Sequence, residues 1–450
     1  METPHAFNHR MNLQETTGAV ETHIRNGNGV HTIEVTIGGQ NRVLIVDTGS
    51  GDTALPCNTC THCGMEHDNP FFVRTSHTLD VTCQENDAAG FLKCRSCGNY
   101  DDVCTYGAGY VEGSKWTARK ISEFMSFGDS DDLKARVVLG CIYEEYGAFY
   151  SQSADGIFGM SRSEDSILSQ LYSEGAIHAN MFSQCISETG GSMVLGGVDM
   201  NLNIDDFMQY TPIRENGYTY WSVSMTGLSV GGAPALDVGS SVYNAGRGCV
   251  LDSGTTYIYL PTAAENKFYA AWTSSVADTH PMHHYKIDSS YTLTLIQLRE
   301  LPEICFYFIG ETSLCIDASH YLERTSMQHY KPVLQFLDFA HATIIGAAAL
   351  KDHNILYDED NGRIGIAKAN CEKFSAINLE TNVGGPSFKS IEPTNWTNIT
   401  FAAIICISIV AVYITNRDTD DASRERLAWT EDKKERLLTT EYRGLDIDES

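Results

Sequence analysis

Two aspartates carry most of the chemistry that can be read from this chain, and each is delivered by an apolar run into a turn. Val43-Leu44-Ile45-Val46 leads into Asp47-Thr48-Gly49-Ser50, and Cys249-Val250-Leu251 leads into Asp252-Ser253-Gly254-Thr255. A carboxylate at the end of a buried strand is costly to desolvate unless its neighbours hydrogen-bond it. Thr48 and Ser253 are the expected local donors, and Gly49 and Gly254 let the backbone approach closely. Each aspartate is followed far downstream by two apolar residues and a glycine, in ADGIFGM (154–160) and ATIIGAAAL (342–350). These segments are expected to pass beneath the two turns and fix their orientation. If the two units pack about a pseudo-twofold axis, Asp47 and Asp252 meet and share one proton, because two carboxylates a few ångströms apart cannot both ionise. The charged member can then act as general base on a water and the protonated one as acid on a carbonyl oxygen. That chemistry hydrolyses a peptide bond without a covalent intermediate.

The elements that must position these turns are mostly strands. GVHTIEVTIGGQNRVLIVDTG (29–49) alternates apolar and polar residues around Gly-Gly, a hairpin signal. Short β-type runs broken by Gly, Asn and Asp recur, as in GSMVLGGVDM and YWSVSMTGLSVGG. Helix is expected at about 164–175 and 262–274. The repeated aspartate unit predicts an all-β, bilobal architecture with few short helices. The predicted segments are an N-terminal stretch (1–27, a possible propeptide remnant), an N-terminal lobe (28–198) with a cysteine-rich insertion (57–104), a C-terminal lobe (199–372), a linker (373–398), an apolar helix (399–415) and a tail (416–450).

Lys+Arg of 31 against Asp+Glu of 58 gives a net charge of −27. This argues against nucleic acid and against docking on anionic lipid, both of which need a basic patch. ITFAAIICISIVAVYIT (399–415) is uncharged and apolar, at the short end of what spans a hydrocarbon core. Arg417 follows it and no base precedes it closely, which predicts a cytosolic tail and a luminal body. The sequon at Asn395 lies on the luminal flank and is a glycosylation candidate; Asn398 lies too near the bilayer. The polar start, METPHAFNHRMNLQE, is no signal peptide. The topology therefore predicts that a leader is missing from this sequence or that the start is misplaced. Tyr442-Arg443-Gly444-Leu445 has the spacing of a tyrosine-based sorting signal for adaptor proteins. His280, His283 and His284 are expected to line a solvated loop.

Seven of the fourteen cysteines lie between Cys57 and Cys104. Cys57, Cys60 and Cys63 followed by Cys94 and Cys97 have a spacing that zinc sites use, and a disulfide-knotted insertion has the same spacing. A luminal body favours bridges over metal. Thirteen cysteines precede the apolar helix, so at least one lacks an intramolecular partner, and the free thiol is expected within the seven-cysteine cluster.

VDTGS and LDSGT, each with its apolar-apolar-glycine partner, resemble the pepsin-like aspartic proteases over residues 28 to 372. The resemblance implies a protease acting on proteins or peptides through Asp47 and Asp252, with Thr48, Gly49, Ser50, Ser253, Gly254 and Thr255 supporting the turns. It implies no cofactor and no metal, and a monomer. CTYGAGYVEG matches the flap hairpin of such enzymes and puts the flap role on Tyr106 and Gly107. Pepsin has a tryptophan after its first turn that hydrogen-bonds the flap tyrosine; here Ala54 stands in that place, so the flap needs another partner. PCNTCTHC shortly after DTGS, with Cys104 before the flap, is similar to the insertion of nepenthesin-like proteases and plasmepsin V. That similarity implies bridges among Cys57, Cys60, Cys63, Cys83, Cys94, Cys97 and Cys104, and it implies a pairing of Cys141 with Cys185. Cys249, Cys305, Cys315 and Cys371 complete the candidates. The implied setting is an endomembrane compartment, either endoplasmic reticulum or endosome–lysosome. A catalytically silent, peptide-binding member of the same family and a zinc-bearing receptor ectodomain are the competing readings.

Overall fold

The computed structural model describes residues 19–372 apart from 28–29, 65–69, 75–76, 92–93, 100, 110–114, 128–132, 148–153, 206, 216, 234–237 and 338–341. The expectations for residues 1–18, the linker, Asn395, the apolar run 399–415 and the tail with Tyr442 to Leu445 lie outside these residues. Among the described residues no helix is long and apolar enough to cross a membrane.

Alternation builds the first hairpin. In Val30–Ile37 the side chains of Ile33, Val35 and Ile37 are buried while Glu34 and Thr36 are only partly so. Gly38 and Gly39 turn the chain with φ of 55° and 75°, left-handed values that favour glycine, and the return strand is Gln40–Asp47. Along that strand the alternation gives way to continuous burial from Leu44 to Asp47, because it becomes an inner strand covered on both faces. Gly156–Gly159 lies parallel to it, with Gly159 opposite Asp47, and Ala54 returns antiparallel to pair with Ile157.

The second half repeats this arrangement. Gly248–Asp252 runs parallel to Ala342–Gly346, with Gly346 opposite Asp252, and Tyr259 returns to pair with Ile344. Ala54 follows Asp47 by the same seven positions that separate Tyr259 from Asp252. The apolar-apolar-glycine segments thus lie directly beside the aspartate strands, in matching register.

Among the described residues most strands belong to one fifteen-stranded sheet, and smaller sheets of five, three and three strands lie in the C-terminal half. One stretch of the large sheet draws on both halves: Val20–Gly27, Gly190–Leu195, Met181–Ile186, His353–Asp358, Arg363–Lys368 and Gln209–Pro212 are successive antiparallel neighbours. The two predicted helices appear as Ile167–Ser173, N-capped by Ser166, and as Glu265–Ser275 after a short 3₁₀ turn. Below the aspartates, Phe182 stacks on Tyr357 with ring centroids 4.5 Å apart, and Trp221 meets both edge-on. The Trp221 indole N–H donates to the Met160 carbonyl at 2.7 Å, tying the halves together.

Three expectations need correction. Cys141 pairs with Cys57, not with Cys185. Leu55 lies opposite Cys141 in a parallel pair, so Cys57 emerges beside it, with Cα atoms 5.4 Å apart. Cys185 instead bonds Cys371, across the strands shared by the two halves. The free thiol is not in the cluster. Once Cys57 leaves it, six cysteines remain and pair among themselves as Cys60–Cys63, Cys83–Cys97 and Cys94–Cys104. Cys305 bonds Cys315, its cross-strand partner, so Cys249, buried in the strand leading to Asp252, is the free one among the described residues. The bridges consume the thiolates that a zinc site at Cys57, Cys60, Cys63, Cys94 and Cys97 needs. Finally, His280 is buried rather than solvated: its ring accepts from the Met282 N–H and lies 3.0 Å from the Gln297 carbonyl.

Candidate active site

Asp47 and Asp252 are both fully buried and lie close enough for the charge of Asp47 to act on the ionisation of Asp252. Each carboxylate is satisfied by its own turn. The Gly49 N–H donates to Asp47 Oδ1 at 2.9 Å and the Ser50 hydroxyl donates to Oδ2. On the other side, the Gly254 and Thr255 N–H groups donate to Asp252 Oδ1 at 2.9 and 3.2 Å, and the Thr255 hydroxyl donates to Oδ2 at 2.7 Å.

Thr48 and Ser253 do something other than the expected local donation. The Thr48 hydroxyl donates to the Leu251 carbonyl at 3.1 Å and accepts from the Ser253 N–H at 2.8 Å. The Ser253 hydroxyl donates to the Val46 carbonyl at 2.8 Å and accepts from the Thr48 N–H at 3.3 Å. Each turn therefore grips the backbone of the other, and the four bonds fix the carboxylate separation. Hydroxyl residues at Ser50 and Thr255, three positions after each aspartate, take the local role.

The two glycines permit the approach. A Cβ added to Gly49 meets both carboxylate oxygens of Asp252 at 2.6 Å, and one added to Gly254 overlaps Asp47. Burial pushes both acids up from the ordinary carboxylate range, Asp47 to about 6 and Asp252 to about 8. Hydrogen bonds from Ser50, Gly49 and Asp252 hold Asp47 back, whereas the charge of Asp47 drives Asp252 further. One proton shared by the pair is the arrangement these surroundings favour, because burial and mutual repulsion keep both acids from ionising together.

Tyr106 lies on Cys104–Gly109, which pairs with the long return strand Lys115–Phe127; the hairpin tip at 110–114 is outside the described residues. The tyrosine is 6% exposed. Its ring meets Trp116 edge-on at 5.3 Å, and its hydroxyl occupies the space beside Gly140, where a Cβ would come within 2.5 Å of it. Ala54, Ala118, Ile142 and Ile157 complete the cluster, with Cys63 of the insertion and Ala108 against it. Gly107 packs its backbone so closely on Trp116 that a side chain there has no room. The partner missing at Ala54 is thus supplied from the flap's own return strand. Period-2 burial on KWTARK, which puts Trp116, Ala118 and Lys120 on one face, is the sequence signal that could have found it.

The family model described as eukaryotic aspartyl protease matches residues 30–369. The chain is 25% identical to a protein named Aspartic protease from Phaffia rhodozyma, over 80% of this chain and 82% of that one. It is 27% identical to aspartic proteinase nepenthesin-2 of Nepenthes gracilis, covering 59% and 60% respectively. Plasmepsin V of Plasmodium falciparum is 28% identical over 37% of this chain and 29% of its own length. The protein belongs to the eukaryotic aspartyl protease family and is a peptide hydrolase.

Proposed function

We propose that the protein is a membrane-anchored aspartic endopeptidase in which Asp47 and Asp252 activate a water between them. The observation that carries the reading is a pair of buried carboxylates brought face to face on turns that clamp each other. Asp47, as the ionised member of the pair, takes a proton from the water as the water oxygen attacks the peptide carbonyl carbon. Asp252 gives its proton to the carbonyl oxygen. The tetrahedral diol then collapses: a hydroxyl proton returns to Asp252, Asp47 protonates the departing nitrogen, and the C–N bond breaks. General acid–base steps of this kind supply about 10²–10⁴ in rate. Ser50, Thr255 and the glycine N–H groups hold the two acids in their unequal roles, and Tyr106 with Gly107 forms the flap above the bound peptide.

Residues 28–198 and 199–372 form the two lobes of this reading, and 57–104 the cysteine-rich insertion. The uncharged run 399–415 anchors the body in the membrane, with the catalytic lobes luminal, Asn395 glycosylated and Tyr442 to Leu445 offered to sorting adaptors. Substrates are proteins of the secretory or endosomal system, cut by a monomer.

Incubating the purified protein with a denatured substrate across acid pH tests the reading. Cleavage that a statine-type inhibitor blocks, and that Asp47→Ala and Asp252→Ala abolish, is expected. Peptide binding without cleavage in the wild type would point instead to the silent, peptide-binding form. Sensitivity of Asn395 to a glycosidase, read by gel shift in expressing cells, tests the topology; an unshifted band contradicts it.

A further inference from the structure

Beneath the flap tyrosine lies a buried cation. Lys120, on the return strand of the flap hairpin, has a side chain 1% exposed, and its Nζ stands 4.9 Å from the centroid of the Tyr106 ring. Nζ also lies 5.1 Å from the ring of Phe91, which belongs to the cysteine-rich insertion. Asp165, 6% exposed, receives its hydrogen bond at 2.5 Å. Asp165 immediately precedes the cap of helix Ile167–Ser173, and its backbone carbonyl accepts from the Gln170 amide at 2.8 Å. A buried ammonium costs several kcal/mol unless it is paired and bonded. Here one carboxylate and two aromatic faces surround it, and a desolvated cation is attracted electrostatically to the face of an aromatic ring.

We propose that Lys120 is a positioning residue for hydrolysis: it docks the flap tyrosine through its ring and ties the flap to the insertion at Phe91 and to the body at Asp165. The inference rests on the assignment of Tyr106 to the flap. Its geometric basis is that Lys120 touches parts of the molecule that are otherwise separate in sequence, and that all three contacts converge on a single nitrogen. Asp52 joins the same field. Asp52 is buried on the loop five positions after Asp47; burial and the Asp165 charge raise its pKa to about 7, and Lys120 opposes the rise. The charge that steadies the flap therefore also acts on the loop that carries the first catalytic turn. Ala54 leaves the flap without the tryptophan that pepsin uses, and Trp116 with Lys120 fills that need from below and from the side.

The test compares Lys120→Met, the neutral pair Lys120→Met/Asp165→Asn, Tyr106→Ala and the combination of each with Tyr106→Ala. The neutral pair removes the ammonium and its hydrogen-bonded carboxylate together, so it folds even where Lys120→Met alone does not. Active sites are titrated with a tight inhibitor, so that loss of folded protein does not enter kcat. The expected result is a fall in kcat/KM of at least tenfold for the neutral pair in the Tyr106 background. In the Tyr106→Ala background the fall shrinks to less than twofold, since no ring remains to be docked. Equal losses in both backgrounds mean that Lys120 supports the fold only, and overturn the proposal. Amide exchange measured by mass spectrometry provides a second arm that needs no activity. The neutral pair is expected to raise exchange at 104–109 and 115–119 while leaving the strands shared by the two halves unchanged. If the wild type cleaves nothing, the protease reading fails while this arm still decides the docking. Unchanged exchange in the flap strands overturns it.

Discussion

The two aspartate turns use the same backbone device and finish it differently. Gly49 and Gly254 each face the opposing acid, Ser50 and Thr255 each bond their own, and Thr48 and Ser253 exchange grips. Beyond the turn the copies diverge. Five positions after the aspartate stands Asp52 in the first copy and Tyr257 in the second; seven after stand Ala54 and Tyr259. The first copy opens onto the flap and the insertion, held by Cys57–Cys141, Cys60–Cys63, Cys83–Cys97 and Cys94–Cys104. The second is packed by rings: Phe268, Trp272, Tyr285, Tyr321 and Phe336 touch in a continuous cluster. A surface insertion cannot bury enough apolar area to order itself, so covalent bridges do there what aromatic packing does in the other half.

The symmetry of the turns is tested by the largest effect. Asp47→Asn and Asp252→Asn should each lower kcat/KM by about 10³-fold or more with the melting temperature retained, because each acid performs one half of a coupled proton transfer. A loss confined to one of the two variants would mean that the copies are not functionally paired.

The divergence in bracing is tested by stability. Removing Cys57–Cys141 frees an 84-residue separation, whereas removing Cys305–Cys315 frees one of 10. Loop-closure entropy puts these at about 4–5 and about 3 kcal/mol. Double alanine variants compared by urea titration should show the first to be the more damaging. Equal costs would indicate that the first half holds itself together without its long-range bridge.

Asp52 has no acidic counterpart in the second copy, and pH tests what that difference does. Asp47, Asp52 and Asp252 all have folded pKa values raised by burial, to about 6, 7 and 8. Their contribution to stability is complete below the unfolded value near 4 and is lost as pH rises through the folded values. His31 and His353 act with the opposite sign. Burial lowers both to about 4, so their contribution is present above about 6.5 and is lost as pH falls through 4. Between pH 4 and 6 the three acids are opposed by two histidines, which predicts a shallow decline. From about 6.5 to 8 the histidines no longer change, and Asp52 and Asp252 alone pull stability down. Thermal melts at stepped pH should show that decline, and Asp52→Asn should make it shallower. A melting temperature that rises from pH 6.5 to 8 contradicts the assignment.

What the sequence made legible follows from range. Apolar strand, Asp, hydroxyl and glycine are local features, and their duplication with matching downstream partners revealed the strand register beneath each turn. The cross-grip of Thr48 and Ser253 was hidden because it depends on how one turn meets a second one 205 positions away. Bridge connectivity was hidden for the same reason: Cys57 leaves a dense local cluster for a strand neighbour that only the fold brings close. Lys120 was hidden by its type, since a lysine on a strand reads as an edge or surface residue until the burial of Trp116 and Ala118 on its face is noticed.

The smallest effect separates the copies at a single side chain. Three positions before the aspartate, the first copy has Leu44 and the second Cys249, both fully buried. Leu44 is packed for its volume; Cys249 fills the matching place as a small apolar group, and burial holds its thiol well above the ordinary range. A thiol that does not ionise is a poor nucleophile, so Cys249 should resist iodoacetamide in the native protein and react only in denaturant. Cys249→Ala should cost about 1 kcal/mol and leave kcat/KM within twofold of wild type, whereas Leu44→Ala, which removes more volume from the same place in the other copy, should cost about 3 kcal/mol. Rapid native alkylation of Cys249 would show that the strand behind Asp252 opens to solvent while its counterpart stays closed, and that the second turn is the looser of the two.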